Sequence, residues 1–186
     1  MTQRVALATV MDRLSIDAVI TDYAVAVDDG AWEDYGALFT PDGRADYRSA
    51  GGTEGPVAET VRWLEDSLRL LPVRQHLIVN RRLDLQDLGG YPGDQARVRA
   101  DYLSPAGTSG ASGTSGTDAE AGEAGSGGTA ARGQPPALVS GGRYVFELRR
   151  TEPGWRIRTV TMHEKWRYGP GPGGSETSGP GAAPTG

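Results

Sequence analysis

The sequence predicts an α+β fold in which three helices precede a mostly antiparallel sheet. Three observations support that. Apolar residues recur at helical spacing up to about residue 70 and alternate from residue 73 onward. The later apolar segments include pairs joined by short Gly- and Pro-containing turns, the mark of hairpins rather than of crossover helices. Residues 104–137 and 169–186 hold 16 of the 28 glycines and seven of the 12 prolines, but no Val, Ile, Leu, Met, Phe, Trp or Tyr. Such segments bury too little to offset their ordering entropy. What remains is long enough for one core. One domain is therefore expected over 1–168, with a flexible insert at 104–137 and a disordered Gly/Pro-rich tail over 169–186.

The elements follow in order. Leu14, Ile16, Val19, Ile20, Tyr23 and Val27 recur at spacings of two to four, which predicts a helix over 12–28. Asp28-Asp29-Gly30 ends it, with Gly30 able to take the left-handed cap. A shorter helix over 31–39 is expected to bury Trp32, Tyr35, Leu38 and Phe39. Thr40-Pro41-Asp42-Gly43 reads as a turn before a short strand over 44–49. The third helix, over 56–70, has Pro56 at its start and Val57, Val61, Leu64 and Leu68 as its stripe. Four long strands are then expected over 73–85, 95–103, 138–149 and 155–166. The insert joins the middle two as a passive loop, since closure entropy grows slowly with length.

Composition excludes several classes of function. A net charge of −5 leaves no basic footprint for nucleic acid. No apolar run approaches the roughly 20 residues that span a bilayer. The opening MTQRVALATVMDRLS shows no long apolar core or cleavage signature, which predicts a cytoplasmic protein. With no cysteine there is no disulfide or thiolate chemistry, and the two histidines lack H-x-H or H-x3-H spacing. No phosphate loop, helix-opening dinucleotide fingerprint or nucleophile elbow occurs. No metal or cofactor is expected.

The candidates for chemistry are few. His76 is the natural general base. On a strand it shares a face with Ile78 and Asn80. Asp28 ends the first helix, either as a solvated turn residue or as a carboxylate that orients another group. Tyr47 lies in the short strand, and Tyr23 sits one helical turn before Val27. Arg97, Arg99 and Asp101 alternate with Val98, Ala100 and Tyr102. The apolar set is expected to face inward, leaving Arg99 and Asp101 as an exposed ion pair. Were they inward, epoxide hydrolase-like water activation would be open. His163 reads as a rim residue.

The block YAVAVDDGAWEDYGALFTPDGRADYRS, followed later by RQHLIVN, resembles the SnoaL-like branch of the NTF2-like superfamily. By motif it is most similar to the scytalone dehydratases. The resemblance implies a cone in which the helices pack into a curved sheet. It implies that Asp28 orients His76, that His76 is the general acid/base, and that Tyr47 is one of two tyrosines holding a water. The second tyrosine's position is Val27 here, the family's second histidine has no counterpart near the start of the insert, and its pocket asparagine maps near Tyr144. Tyr23, Asn80, Tyr102 and Tyr144 are the expected substrate contacts. The implied function is a dehydratase, isomerase or cyclase for a hydrophobic carbonyl compound of polyketide type. A non-catalytic ligand- or protein-binding module is the alternative. The implied partner is a hydrophobic small molecule, with neither nucleic acid nor membrane, and the convex face of the sheet, with its exposed long strands, is expected to pair with further copies of the chain as a dimer or trimer.

Overall fold

The computed structural model describes residues 2–107 and 136–169, with side chains from residue 7 onward. Helix α1 spans Thr2–Asp29, beginning well before the expected start. Its inner face runs through Asp12, Ile16, Val19, Ile20, Tyr23, Ala26 and Val27. Leu14 does not join this face and is 60% exposed. It lies roughly 200° around the helix from both Asp12 and Ile16, at 100° per residue. Gly30 takes φ +68°, and Ala31 N–H donates to Ala26 C=O at 2.9 Å, closing the helix in a Schellman end.

Helix α2 spans Trp32–Ala37 and strand β1 spans Phe39–Asp46. Phe39 thus opens a strand rather than ending a helix. The expected turn at 40–43 is a bulge inside β1, where the register against β7 shifts between Phe39 and Arg44. Tyr47 leads into a 3₁₀ turn over Arg48–Ala50, so the strand ends before the expected residue 49. Strand β2 (Glu54–Pro56) and helix α3 (Val57–Leu68) follow.

The single strand expected over 73–85 is split into β3 (Val73–Arg74) and β4 (Leu77–Asp87), both paired with β5 (Pro92–Gly107). Strands β6 (Leu138–Thr151) and β7 (Gly154–Tyr168) complete a seven-stranded sheet in the order β2-β1-β7-β6-β5-β3, with β4 also on β5. β1 runs parallel to β7, and the other pairs are antiparallel. Residues 104–107, expected in the insert, are the end of β5. The remainder of the insert and the tail beyond residue 169 lie outside the described residues. Ala96, Val98 and Ala100 of β5, Phe146 and Leu148 of β6, and Ile157 and Val160 of β7 form one core with α1 and α2.

One polar anchor ties α1 to the sheet. Asp12 accepts two hydrogen bonds from Arg150, at 2.6 and 2.7 Å, and one from Trp155 Nε1 at 3.1 Å. The Arg150 hydrogen bonds hold the Asp12 carboxyl below its ordinary value. Its contribution is therefore complete above the unfolded carboxylate pKa of about 3.9 and is lost as pH falls through the lower folded value. Asp12→Asn is expected to cost about 1–3 kcal/mol at neutral pH. It should also flatten the acid limb of the stability profile, as read by urea unfolding across pH.

The flanks of the insert lie together. Pro136 and Ala137 backbone atoms come within 3.7 Å of where a Cβ on Gly107 would sit. Replacing residues 108–135 with a short Gly/Ser linker shortens the closed loop and removes no large apolar side chain. Thermal unfolding should stay cooperative, with its midpoint little changed.

Candidate functional site

A cavity of about 610 Å³ opens between the end of α1, helix α3 and the ends of β3, β5 and β6. Its apolar wall includes Val27, Trp63, Leu64, Leu68, Leu71 and Met162, and its polar groups include Tyr23, Tyr47, Arg74, His76, Ser104 and Tyr144.

His76 occupies the break between β3 and β4. Its backbone N–H leaves the ladder and donates to Asp28 Oδ2 at 2.7 Å, while Nδ1 meets Asp28 Oδ1 at 2.5 Å. Both carboxylate oxygens thus contact one residue. The carboxylate accepts from Nδ1–H, which leaves Nε2 with its lone pair. Arg74 opposite Ala106 and Leu77 opposite Leu103 set His76 against Ser104 in the register. Ser104 Oγ lies 3.3 Å from Nε2, and both residues line the cavity. Nε2 is therefore the ring nitrogen at the wall. The dyad is largely sheltered, with the His76 side chain 10% exposed and that of Asp28 19%.

A carboxylate in the last turn of a helix opposes the negative end of its dipole. Arg74 answers this. Its Nε and Nη2 donate to the Val27 and Asp28 carbonyls at 3.2 and 3.0 Å, and Nη1 donates to the Leu68 and Leu71 carbonyls at 3.1 and 3.2 Å. One guanidinium thus satisfies carbonyls at the C-terminal ends of both α1 and α3, two residues before His76.

Three tyrosine hydroxyls meet, two of them from residues that line the same cavity as His76. Tyr47 Oη lies 2.7 Å from Tyr23 Oη and 2.6 Å from Tyr35 Oη. Tyr23 thus reaches Tyr47 from one turn before Val27, where the family's second tyrosine would stand. The Tyr47 ring stacks on Trp63 at 5.8 Å. Gly52 permits that contact, because a Cβ there would lie 2.7 Å from the Trp63 ring. Burial is the main cause that raises the Tyr23, Tyr47 and Tyr144 hydroxyls well above their ordinary value. They stay protonated, as hydrogen-bond donors.

Other expected contacts fall elsewhere. Asn80 does not face the cavity: it takes φ +51° at a bulge in β4 and its amide donates to Asp101 at 3.2 Å. That bulge moves the inward set from even positions such as Ile78 to odd ones such as Leu83 and Leu85. Tyr102 is buried, but its ring packs on Tyr144 with centroids 4.7 Å apart instead of lining the cavity. Tyr144 does line it. Arg99 pairs with Asp84, and Asp101 with Arg143, on the outer face of the sheet, which removes the epoxide hydrolase-like arrangement. His163 is exposed. Sequence reasoning missed Arg74, Ser104 and Trp63 as cavity residues, and it did not foresee the contact of Tyr35 with Tyr47. Only Arg74 had a local signal, its place in RQH. Among the described residues, no three His, Asp or Glu groups converge to hold a metal, and no helix is long and apolar enough to cross a membrane.

The SnoaL-like domain model matches residues 8–161. The chain belongs to the SnoaL-like family. Its fold is that of the NTF2-like proteins, a curled mixed sheet with few helices. A candidate scytalone dehydratase from Novosphingobium aromaticivorans is similar, with TM-score 0.62, 15% identity and coverage of 86% of this chain and 88% of that one. An NTF2-like protein with a cystatin-like fold from the same species has TM-score 0.59 and 20% identity, covering 84% of each chain. The type 2 hexachlorocyclohexane dehydrochlorinase LinA has TM-score 0.62 and 13% identity, covering 95% and 99%. At these identities the likeness is one of fold. An uncharacterised protein of Mycobacterium tuberculosis is 36% identical over 74 residues, 40% of this chain and 50% of the relative. The match thus spans about half the length of the curated relatives.

Within this SnoaL-like domain, Arg74 is the contact most exposed to test. A lysine has three donors and no planar fork, so it cannot serve four carbonyls at and just beyond the ends of two helices. Arg74→Lys should cost about 1–3 kcal/mol in urea unfolding. With two histidines in the chain, ¹⁵N-histidine NMR can follow His76 directly, and its Nδ1 signal should move.

Proposed function

We propose that this chain is an acid/base enzyme needing no cofactor, a dehydratase, isomerase or cyclase, that acts on a hydrophobic carbonyl compound of polyketide type. The observation that carries this reading is the position of His76, bound to Asp28 on one side and facing the cavity on the other. Nε2 removes a proton alpha to the substrate carbonyl, and the Asp28 carboxylate stabilises the imidazolium that forms. A tyrosine O–H from the Tyr23–Tyr47 pair, directly or through a water, supports the enolate oxygen. The imidazolium then returns its proton. Delivered to a leaving hydroxyl it completes loss of water, and delivered to another carbon it completes an isomerisation. The flat wall made by Trp63 stacked on Tyr47 favours a planar ring system. The fold neighbours named as a candidate dehydratase and a dehydrochlorinase support elimination chemistry on this scaffold.

Deuterium uptake from D2O into a panel of cyclic and aromatic ketones tests the step without knowledge of the final product. His76→Ala should lose about 10²–10⁴-fold in exchange rate. Asp28→Asn should lose a similar amount, since it offers neither the charge nor the required acceptor pair. Tyr47→Phe should lose less, and Tyr23→Phe about as much as Tyr47→Phe, because the two hydroxyls share one hydrogen bond. Undiminished exchange in a folded His76→Ala protein would overturn the reading in favour of a binding module.

A further inference from the structure

We propose that Ser104 is a nucleophile served by the Asp28–His76 dyad, which gives the same cavity an acyl-transfer activity toward esters with an apolar acyl group. Asp28 Oδ1 meets His76 Nδ1 at 2.5 Å, and His76 Nε2 meets Ser104 Oγ at 3.3 Å. With Nδ1–H committed to the carboxylate, Nε2 is the acceptor and the Ser104 O–H is the donor. A hydroxyl, an imidazole and a carboxylate so joined are the nucleophile, base and orienting group of acyl transfer, recognised by geometry and role rather than by fold. A nucleophile–base contact of 3.3 Å is ordinary before a substrate draws the pair together. The inference shares the dyad with the acid/base reading but needs no enolate.

The sheet fixes the hydroxyl in place. Ser104 pairs with Ser140 of β6 on one side. On the other, the Arg74–Ala106 and Leu77–Leu103 pairs bracket it. Between those pairs the Gln75 N–H donates to the Pro105 carbonyl at 3.1 Å, which ties the break in the edge to the residue after Ser104. His76 and Ser104 both line the cavity, and Val27, Leu68, Leu71 and Leu138 line it too, a wall suited to an apolar acyl chain. As Oγ bonds to the ester carbonyl carbon, its proton passes to Nε2 and the C=O pair moves onto oxygen. Return of that pair expels the alcohol oxygen, which takes the proton from Nε2 and leaves an acyl group on Ser104. Water then attacks the acyl carbon and gives its proton to Nε2. The Ser104 oxygen leaves with that proton, and the net products are a carboxylic acid and an alcohol. The Tyr23, Tyr47 and Tyr144 hydroxyls, kept protonated mainly by burial, are donors that line the cavity where the transient oxyanion forms.

Two probes on the full-length protein test this: 4-nitrophenyl butyrate, read as release of 4-nitrophenolate, and an alkyl fluorophosphonate, whose adduct does not hydrolyse. Fragment mass spectra should place a single phosphonyl group on Ser104. Ser104→Ala and His76→Ala should each slow nitrophenolate release by about 10²–10⁴-fold, and Asp28→Asn by a similar factor. No labelling of the wild type, a label on another residue, or an unchanged rate in the Ser104→Ala or the His76→Ala protein would overturn the proposal. The chain has no cysteine, so Ser104→Cys places a lone thiol beside Nε2. Its alkylation by iodoacetamide should titrate roughly one pH unit or more below the ordinary thiol value of about 8.5, and adding His76→Ala should restore that value. An ordinary profile with His76 in place would mean that the imidazole does not serve position 104, and would also overturn the proposal. Deuterium uptake into ketones is read separately. Failure of acylation leaves the base assignment standing, and loss of uptake with labelling intact removes the acid/base reading alone.

Discussion

Asp28 joins three parts of the molecule: its two carboxylate oxygens hold the backbone and ring of His76, and its own carbonyl is held by Arg74. The end of α1 and the break in the edge of the sheet therefore meet at Asp28, and Arg74 carries the link on to the end of α3 and the loop after it. Neither half of this arrangement is favourable by itself. A carboxylate opposes the helix dipole, and an interrupted edge strand forfeits ladder hydrogen bonds. Brought together, each supplies what the other lacks. The freed N–H of His76 satisfies the carboxylate, and the guanidinium of Arg74 offsets the carbonyl ends of α1.

This coupling explains how a site of modest composition is made specific. The cavity wall is mostly apolar, and its polar groups are few and oriented from behind. Asp28 sits behind His76, and Ser104 lies opposite Nε2 by register. Oriented groups inside an apolar cavity act more strongly than the same groups in water, because little solvent competes for them. The second tyrosine illustrates how the scaffold accommodates change. Val27 takes the place next to the aspartate, yet Tyr23, one turn earlier on the same face, still brings its hydroxyl to Tyr47.

The NTF2-like proteins that share this fold include a candidate dehydratase and a dehydrochlorinase, at identities of 15% and 13%. Fold at this distance does not carry function. The functional reading comes instead from the Asp28–His76 contact and the Tyr23–Tyr47 contact, with His76, Tyr23 and Tyr47 lining one cavity.

The sequence by itself determined the three helices, the order of the long strands and the Gly30 cap, and its resemblance to the SnoaL-like branch made Asp28, His76 and Tyr47 candidates. These rest on local signals: apolar period, turn chemistry and short motifs whose residues stand close in the chain. The tertiary structure decided where side chains point. Alternation counted from His76 put Asn80 on the cavity face, but a left-handed backbone at Asn80 reversed the alternation beyond it. Ser104 looked like part of a low-complexity insert until pairing with β6 extended β5 through it. Arg74 and Tyr35 contact groups 46 and 12 residues away. Both contacts depend on strand register and helix packing, which are set by contacts between distant segments and leave little trace in local pattern.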